Sequence, residues 1–445
     1  MVSQLSKWKN LFGEQLKTGQ FESLTPRNNQ NTDGTMIDVS PDLIAVNWFT
    51  SGGGAIGIFQ TTNFVRVASE FPLIRGHKAA VTDIKFSPFN SSLLASASED
   101  GTVKLWDVPL EGLKEDLTTE IQIFNNHSKK ASLLNFHPSV KEVIASSGSD
   151  NDLYAWNITD SSIISSYKMD EQAYSIEFNS KGNLLGVMNK NKMANIFDVR
   201  VPDTQVLSVE GHSSSKVQKF GFADGDYAFS SGFNNSGFRE VKIYDIRSFT
   251  KEIQTHKLDS LSGMLSHFYD EDTGLLFLYG KGEGVVTYLE FKEGSLKTGN
   301  TYSGGEQQIS LGFFPKRTVD YNSCELARCA KLTKNSCHYV SFKYPRRNQG
   351  FSEEFYPECV VGEPSMSFDE WKSGENKPLA RKKITEIENK FKTEPMKIEK
   401  KVVEDRKTLK IDDVLAENQD LKKRVSELES IVQELTAKLN QVNQN

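Results

Sequence analysis
Apolar residues in the first 345 or so positions come in short runs separated by glycine-rich turns. VNWFT (Val46 to Thr50) and IGIFQ (Ile56 to Gln60) flank SGGGAIG, and LLFLY (Leu275 to Tyr279) and VVTYLEF (Val285 to Phe291) flank GKGEG. Runs of four to eight residues rich in β-branched and aromatic side chains, each pair bracketing a tight turn, predict hairpins. The pattern changes near the C-terminus. From Ile411 apolar residues follow a heptad: Ile411, Asn418, Val425, Val432 and Leu439 at a, and Val414, Leu421, Leu428 and Leu435 at d. That period predicts a coiled coil over residues 411–445. Residues 375–410, with Pro378, Pro395 and many charges, show no period and are expected to form a flexible linker.

A longer repeat overlies the hairpins. GHKAAVTDIKFSPFNSSLLASASEDGTVKLWDV, from Gly76, aligns with NHSKKASLLNFHPSVKEVIASSGSDNDLYAWNI, from Asn126. His77 and His127, Ser96 and Ser146, Asp100 and Asp150, and Trp106 and Trp156 all lie 50 residues apart. Four landmarks holding one offset resemble the WD repeat, whose unit is a four-stranded propeller blade. Each set supplies an indole N–H, a hydroxyl, an imidazole and a carboxylate, so each buried polar group finds a partner within it. Ser, His and Asp together also suggest catalysis, but their recurrence at blade spacing assigns them a structural role. The repeat then decays. Phe197-Asp198 follows Trp156-Asn157 by 41 residues, with Val187 and Asn191 in place of Ser and Asp. Gly211-His212 opens a further unit that closes at Tyr244-Asp245, after an inserted FNNSGFRE.

At about 40 to 50 residues per unit, residues 35–345 make about seven blades. The expected fold is therefore all-β: a seven-bladed WD-repeat β-propeller over residues 1–350, its first and last segments meeting to close the ring. A C-terminal extension (351–374) packs on it, followed by the linker and an α-helical parallel coiled coil.

Composition narrows the function. MVSQLSKWKNLFGE lacks an apolar stretch long enough for a signal peptide. No run of about 18 apolar residues occurs, so a cytoplasmic chain with no membrane span is expected. The net charge of −6 is unevenly placed: residues 375–410 carry 12 Lys/Arg against 7 Asp/Glu, while the propeller is acidic. Bulk charge thus argues against nucleic acid as a partner. Cys324, Cys329 and Cys337 lack the paired spacing of a zinc knuckle, so they and Cys359 are read as reduced core thiols. Neither glycine-rich turn has phosphate-loop spacing. No unassigned acid–base or metal cluster suggests an enzyme, and no cofactor is expected.

Further segments carry a family resemblance. LDSLSGMLSHFYDEDTGLLFLYGKGEG (Leu258 to Gly284), SSGFNNSGFREVKIYD (Ser230 to Asp245), FFPKRTVDYNSCELAR (Phe313 to Arg328), PRRNQGFSEEFYPECVVGEPSMSFDEW (Pro345 to Trp371) and SGGGA (Ser51 to Ala55) resemble coronin sequences. The chain departs from that family at Arg346-Arg347-Asn348-Gln349, where Arg-Lys-Ser-Asp is usual. It departs again at Phe21-Glu22-Ser23-Leu24-Thr25, where relatives read Tyr-Glu-x-x-Arg and here Arg27 lies two residues later. The resemblance implies a protein of the actin cytoskeleton and cell cortex. Such a protein binds and cross-links or bundles F-actin, and its coil meets the actin-nucleating complex. A WD-repeat scaffold for trafficking or ubiquitin ligation is the alternative. Arg27, by its place near the family's Arg, and the basic linker residues Arg381, Lys382 and Lys383 are the candidate actin contacts.

In the coil, Glu417 with Lys422 and Arg424 with Glu429 are g-to-e′ pairs of a parallel homo-oligomer. Arg424, Val425, Leu428 and Glu429 resemble a trimer motif, while Asn418 at a favours a dimer; trimer is the expected state. Leu421, Val432 and Leu435 complete the seam.

Overall fold
The computed structural model describes residues 6–27, 33–68, 70–202, 205–346 and 351–387. Seven four-stranded antiparallel sheets follow one another along the chain. Blade 1 contains Ile37–Val39, Leu43–Trp48, Gly54–Gln60 and Leu73–His77. Blades 2 to 6 span 81–124, 131–168, 173–210, 219–257 and 265–303. Blade 7 takes Ser310–Phe313, Glu325–Leu332 and Ser336–Lys343 from the end of this region, and Phe12–Glu22 from the start of the chain. The last pairing runs from Phe12 opposite Lys343 to Glu22 opposite Ser336. The ring therefore closes by joining the two ends, as expected, and the fold is the all-β seven-bladed propeller.

Burial explains the short apolar runs. A blade's second strand lies between the faces of two neighbouring blades, so both sets of alternate side chains are covered. Val143–Gly148 is buried throughout. The outer strand Ile163–Lys168 returns to alternation, with one face in solvent. Outer edges are partly covered as well. Residues 65–67 bond to the backbone of Glu22, and Leu117 bonds to Leu73 and Arg75, which blunts two edges open to foreign strands.

The C-terminal extension crosses one end of the disc. Phe355 and Tyr356 join the core of blades 6 and 7 beside Trp8 and Leu11. Met366 and Trp371 join the core of blades 3 and 4. The short helix Phe368–Lys372 opens on a capping box formed by Ser367 and Glu370. It places Trp371 fully buried, with Nε1–H donating to the Gly182 carbonyl at 3.1 Å.

The chain then turns back, and the expected linker starts later than residue 375. Arg381–Lys382 pairs with Cys359–Val360, and Ile384, 1% exposed, sits in the core of blades 6 and 7. The basic residues that suggested a solvated tether are neutralised by carboxylates brought close only in the fold. Arg381 meets Glu271 at 2.9 Å and also Asp272, and Lys382 meets Glu363 at 2.7 Å. Residues 388–410 and the coiled coil, including Asn418, Leu421, Arg424, Val425, Leu428, Glu429, Val432 and Leu435, lie outside the described residues.

This strap gives a first prediction. Arg381→Ala leaves the Glu271 and Asp272 carboxyls, 23% and 3% exposed, without their guanidinium partner, and burial already pushes Glu271 up to about 7 and Asp272 up to about 6. Losing the pair should favour local opening by about 1–2 kcal/mol. Trypsin should then cut after Lys382 or Lys383 about tenfold faster, with the melting temperature of the propeller nearly unchanged. Equal cutting rates would show that Arg381 does not hold the strap.

Candidate functional site
In both repeat tetrads the four side chains lie within hydrogen-bonding reach of one another. In the first, His77 ends the outer strand of blade 1, while Ser96, Asp100 and Trp106 lie in blade 2. Trp106 Nε1–H donates to Ser96 Oγ at 2.8 Å, and Ser96 Oγ lies 2.7 Å from His77 Nε2. His77 Nδ1 lies 3.0 Å from Asp100. One arrangement satisfies every group: Ser96 O–H donates to Nε2, and Nδ1–H donates to the carboxylate. Burial acts to raise the Asp100 carboxyl, but hydrogen bonds from His77 and Thr102 outweigh it and hold it well below the usual carboxylate range. The second tetrad repeats this with Trp156 to Ser146 at 2.9 Å, Ser146 to His127 at 2.9 Å, and His127 to Asp150 at 3.1 Å.

These sets have the donor order of a hydrolytic triad but not its access. Ser96 and Ser146 are each 0% exposed, and each hydroxyl already accepts an indole N–H. No substrate carbonyl can approach, so the sets are rivets between strands.

A third set escaped the repeat comparison. His212 Nδ1 lies 3.1 Å from Glu240, and Ser230 Oγ lies 2.9 Å from His212 Nε2 and 3.0 Å from the Tyr244 hydroxyl. Glutamate stands for aspartate and tyrosine for tryptophan. Ser230 pairs with Lys242 as Ser96 pairs with Lys104, so Glu240 stands where Thr102 does, on the third strand, and its longer side chain reaches His212 from there. The pairing of His212 with Tyr244 was the available signal.

The structure also ties two family-like segments together. Arg239, with a side chain 3% exposed, donates to Asp259 at 2.7 Å, to Glu283 at 2.9 Å and to the Gly263 carbonyl at 3.2 Å. Three loops of blades 5 and 6 thus share one buried guanidinium, and its five N–H donors suit two carboxylates at once. Sequence alone could not pair residues so far apart.

Strand direction decides which loops share an end of the disc. Turns joining second to third strands, and outer strands to the next blade, lie on one end, called here the open face. The remaining turns lie on the strap face. Among the candidate contacts, Arg27 is on the open face. Its backbone N–H donates to the Asn47 carbonyl at 2.8 Å, and its guanidinium lies 3.4 Å from Glu99. It borders a cleft of about 370 Å³ lined by Trp48, Phe49, Gly53 and Ala80, in which Phe49 is 60% exposed. Arg381, Lys382 and Lys383 are on the strap, and Lys383 lies 3.7 Å from Glu353. The structure does not bring them to Arg27.

The central channel narrows to a cavity of about 130 Å³ lined by Asp33, Asp83, Lys85, Glu177, Lys219 and His267. Lys219 donates to the backbone carbonyls of Asp33 and Tyr174, and His267 lies 2.9 Å from Glu177. The four cysteines are free and buried, and burial raises the Cys329 and Cys337 thiols. No metal-holding cluster occurs among the described residues.

Comparison with known proteins agrees with this geometry. Family profiles match at residues 69–107 (WD domain, G-beta repeat), 337–379 (a type of WD40 repeat) and 1–66 (a domain of unknown function, DUF1899). Coronin-2A of Bos taurus is 31% identical over 383 residues, covering 84% of this chain and 73% of that protein. Coronin-A of Dictyostelium discoideum is 30% identical over 446 residues, covering 99% of each. The crystal structure of the WD40 domain of Toxoplasma gondii coronin superposes with a TM-score of 0.81 at 32% identity, covering 85% of this chain and 98% of that one.

Proposed function
Because this chain belongs to the coronin family, we propose that it is an F-actin-binding scaffold of the cytoplasmic actin cortex that cross-links or bundles filaments. The observation that carries this reading is the 99% coverage of both this chain and Coronin-A, which takes in the heptad segment as well as the propeller. The open face, with Arg27 beside the exposed Phe49, is the candidate filament contact. The heptads at 411–445 join several propellers, as a trimer in preference to a dimer. Joined copies convert weak single contacts into tight ones through effective concentration, and two sites per particle are the least that bundling requires.

Co-sedimentation with actin filaments tests the first claim, and a chain that stays in the supernatant at low salt would refute it. Light scattering tests the second. The full chain is expected at three times the monomer mass. Removal of 411–445 is expected to leave a folded monomer that no longer bundles and binds filaments about a hundredfold more weakly. A monomeric full chain would refute assembly, and a dimeric one would refute only the trimer.

A further inference from the structure
Two lysines of the central channel have no carboxylate in contact. Lys85 and Lys219 line the cavity of about 130 Å³, and among the described residues neither ammonium lies within ion-pair distance of an acid. Lys219 spends two of its hydrogens on backbone, at 2.7 Å to the Asp33 carbonyl and 2.5 Å to the Tyr174 carbonyl. The Lys85 ammonium makes no hydrogen bond among those residues. Three carboxylates act on it from a distance. Burial acts to lower Lys85, but Asp38, Asp83 and Glu177 outweigh it and hold it above the usual lysine range. Their oxygens are engaged elsewhere. Asp83 accepts from the Thr35 and Leu134 N–H groups at 2.7 and 2.8 Å, Asp38 accepts from the Phe86 N–H at 2.7 Å, and Glu177 lies beside His267.

The opposite sign is unpaired too. The Asp33 carboxylate lines the same cavity, and Lys219 bonds to the Asp33 backbone instead of to that group. Burial outweighs Lys219, Lys130 and Lys281 and raises the Asp33 carboxyl. Burial likewise outweighs Asp33 and Asp83 and lowers Lys219, with the Lys85 cation adding to it. Both directions record a charge taken out of water without a contacting partner. Unpaired charges of both signs around one small space select a molecule that carries both. A lone anion suits Lys85 and Lys219 but is repelled by Asp33 and Glu177, and a lone cation meets the reverse. Size sets a second limit. A cavity of about 150 Å³ holds benzene, so this one has room for about six non-hydrogen atoms.

We infer that the central channel binds a small zwitterion, a free α-amino acid of the size of glycine or alanine, with its carboxylate on Lys85 and Lys219 and its ammonium on Asp33. The inference stands apart from the actin reading. Asp33 leads into blade 1, Lys85 lies in blade 2 and Lys219 in blade 5, so the bound molecule ties distant parts of the ring together and stabilises it.

The test is calorimetric titration of the full chain with glycine and alanine, and with acetate, methylammonium and inorganic phosphate as probes of one charge sign. Leucine probes size. Glycine or alanine is expected to bind one per chain and to raise the melting temperature progressively with its concentration. The single-sign probes should bind at least about tenfold more weakly, and leucine should not bind. Asp33→Asn and Lys85→Met should each weaken glycine about tenfold or more. Asp33→Asn keeps the size of the side chain and removes a carboxylate that no cation contacts, so it tests the site even where Lys85→Met fails to fold. Thermal melts establish folding, and Lys190→Gln, at an exposed position outside the channel, should match the parent. Absence of heat and of any melting shift with both amino acids would leave the channel to water and overturn the site. Acetate or phosphate binding as tightly as glycine would overturn the zwitterion. Glycine binding unchanged in a folded Asp33→Asn chain would place it outside the channel and overturn the inference as well.

Discussion

Trp106→Ala is expected to lower the unfolding free energy by about 3–5 kcal/mol, the range for emptying a fully buried aromatic site. Trp106 is 0% exposed and packs among Ile74, Leu94 and Val108 between blades 1 and 2. Its loss also takes away the N–H that Ser96 accepts. Trp106→Phe separates the two effects. It keeps most of the volume and removes the donor, so about 1–2 kcal/mol should be lost. Chemical denaturation followed by circular dichroism reads both. Filament binding should fall only as the folded fraction falls. An alanine variant that melts like the parent yet fails to bind would refute the rivet role of the tetrad.

Acidification should weaken the fold through His137, by a comparable amount. This ring is fully buried below blades 3 and 4, edge-on to Trp371 at 5.0 Å. Its Nε2–H donates to the Gly182 carbonyl at 2.6 Å, and its Nδ1 accepts from the backbone N–H groups of Ser139 at 3.2 Å and Val140 at 3.0 Å. Only the neutral ring fits, since a proton on Nδ1 would face two donors. Burial, with the Arg200 cation adding to it, moves its pKa down to about 4. The unfolded chain takes up this proton near pH 6.5, while the folded chain refuses it until about pH 4. Between these values the unfolded state binds more protons, so stability falls as pH falls, by roughly 3 kcal/mol over the window. His338, moved down to about 4 by burial and then by Lys331, acts in the same direction. Denaturation series from pH 7 to 4.5 should show this slope, and His137→Gln should flatten it while lowering stability at pH 7. A slope unchanged in the variant would show that the proton is taken up elsewhere. Because Trp371 shares the Gly182 carbonyl with His137, the strap over blades 3 and 4 should loosen in the same window.

Much of this was legible along the chain, for a physical reason in each case. The first two tetrads share the same internal spacing, 29 residues from His to Trp, so one offset exposes all eight residues: His77, Ser96, Asp100, Trp106, His127, Ser146, Asp150 and Trp156. Ring closure followed from the repeat itself, since a blade short of a strand must find it at the other end of the chain. Both are periodic or local features, which a sequence displays directly. What escaped was set by partners distant in sequence. Glu240 meets His212 from the third strand instead of the turn, and Arg239 meets Glu283 only because two blades are adjacent. Arg381 to Ile384 reads as solvated linker until blade 6 supplies Glu271 and Asp272, and blades 6 and 7 supply an apolar seat. A sum over the sequence gives an acidic domain, but alternation of strand direction sends successive loops to opposite ends of the disc. Sequence alone thus determined the blades, their number and the first two of their polar sets. Only the tertiary structure decided which charges are spent internally, because Coulomb energy depends on distances that the order of residues does not contain.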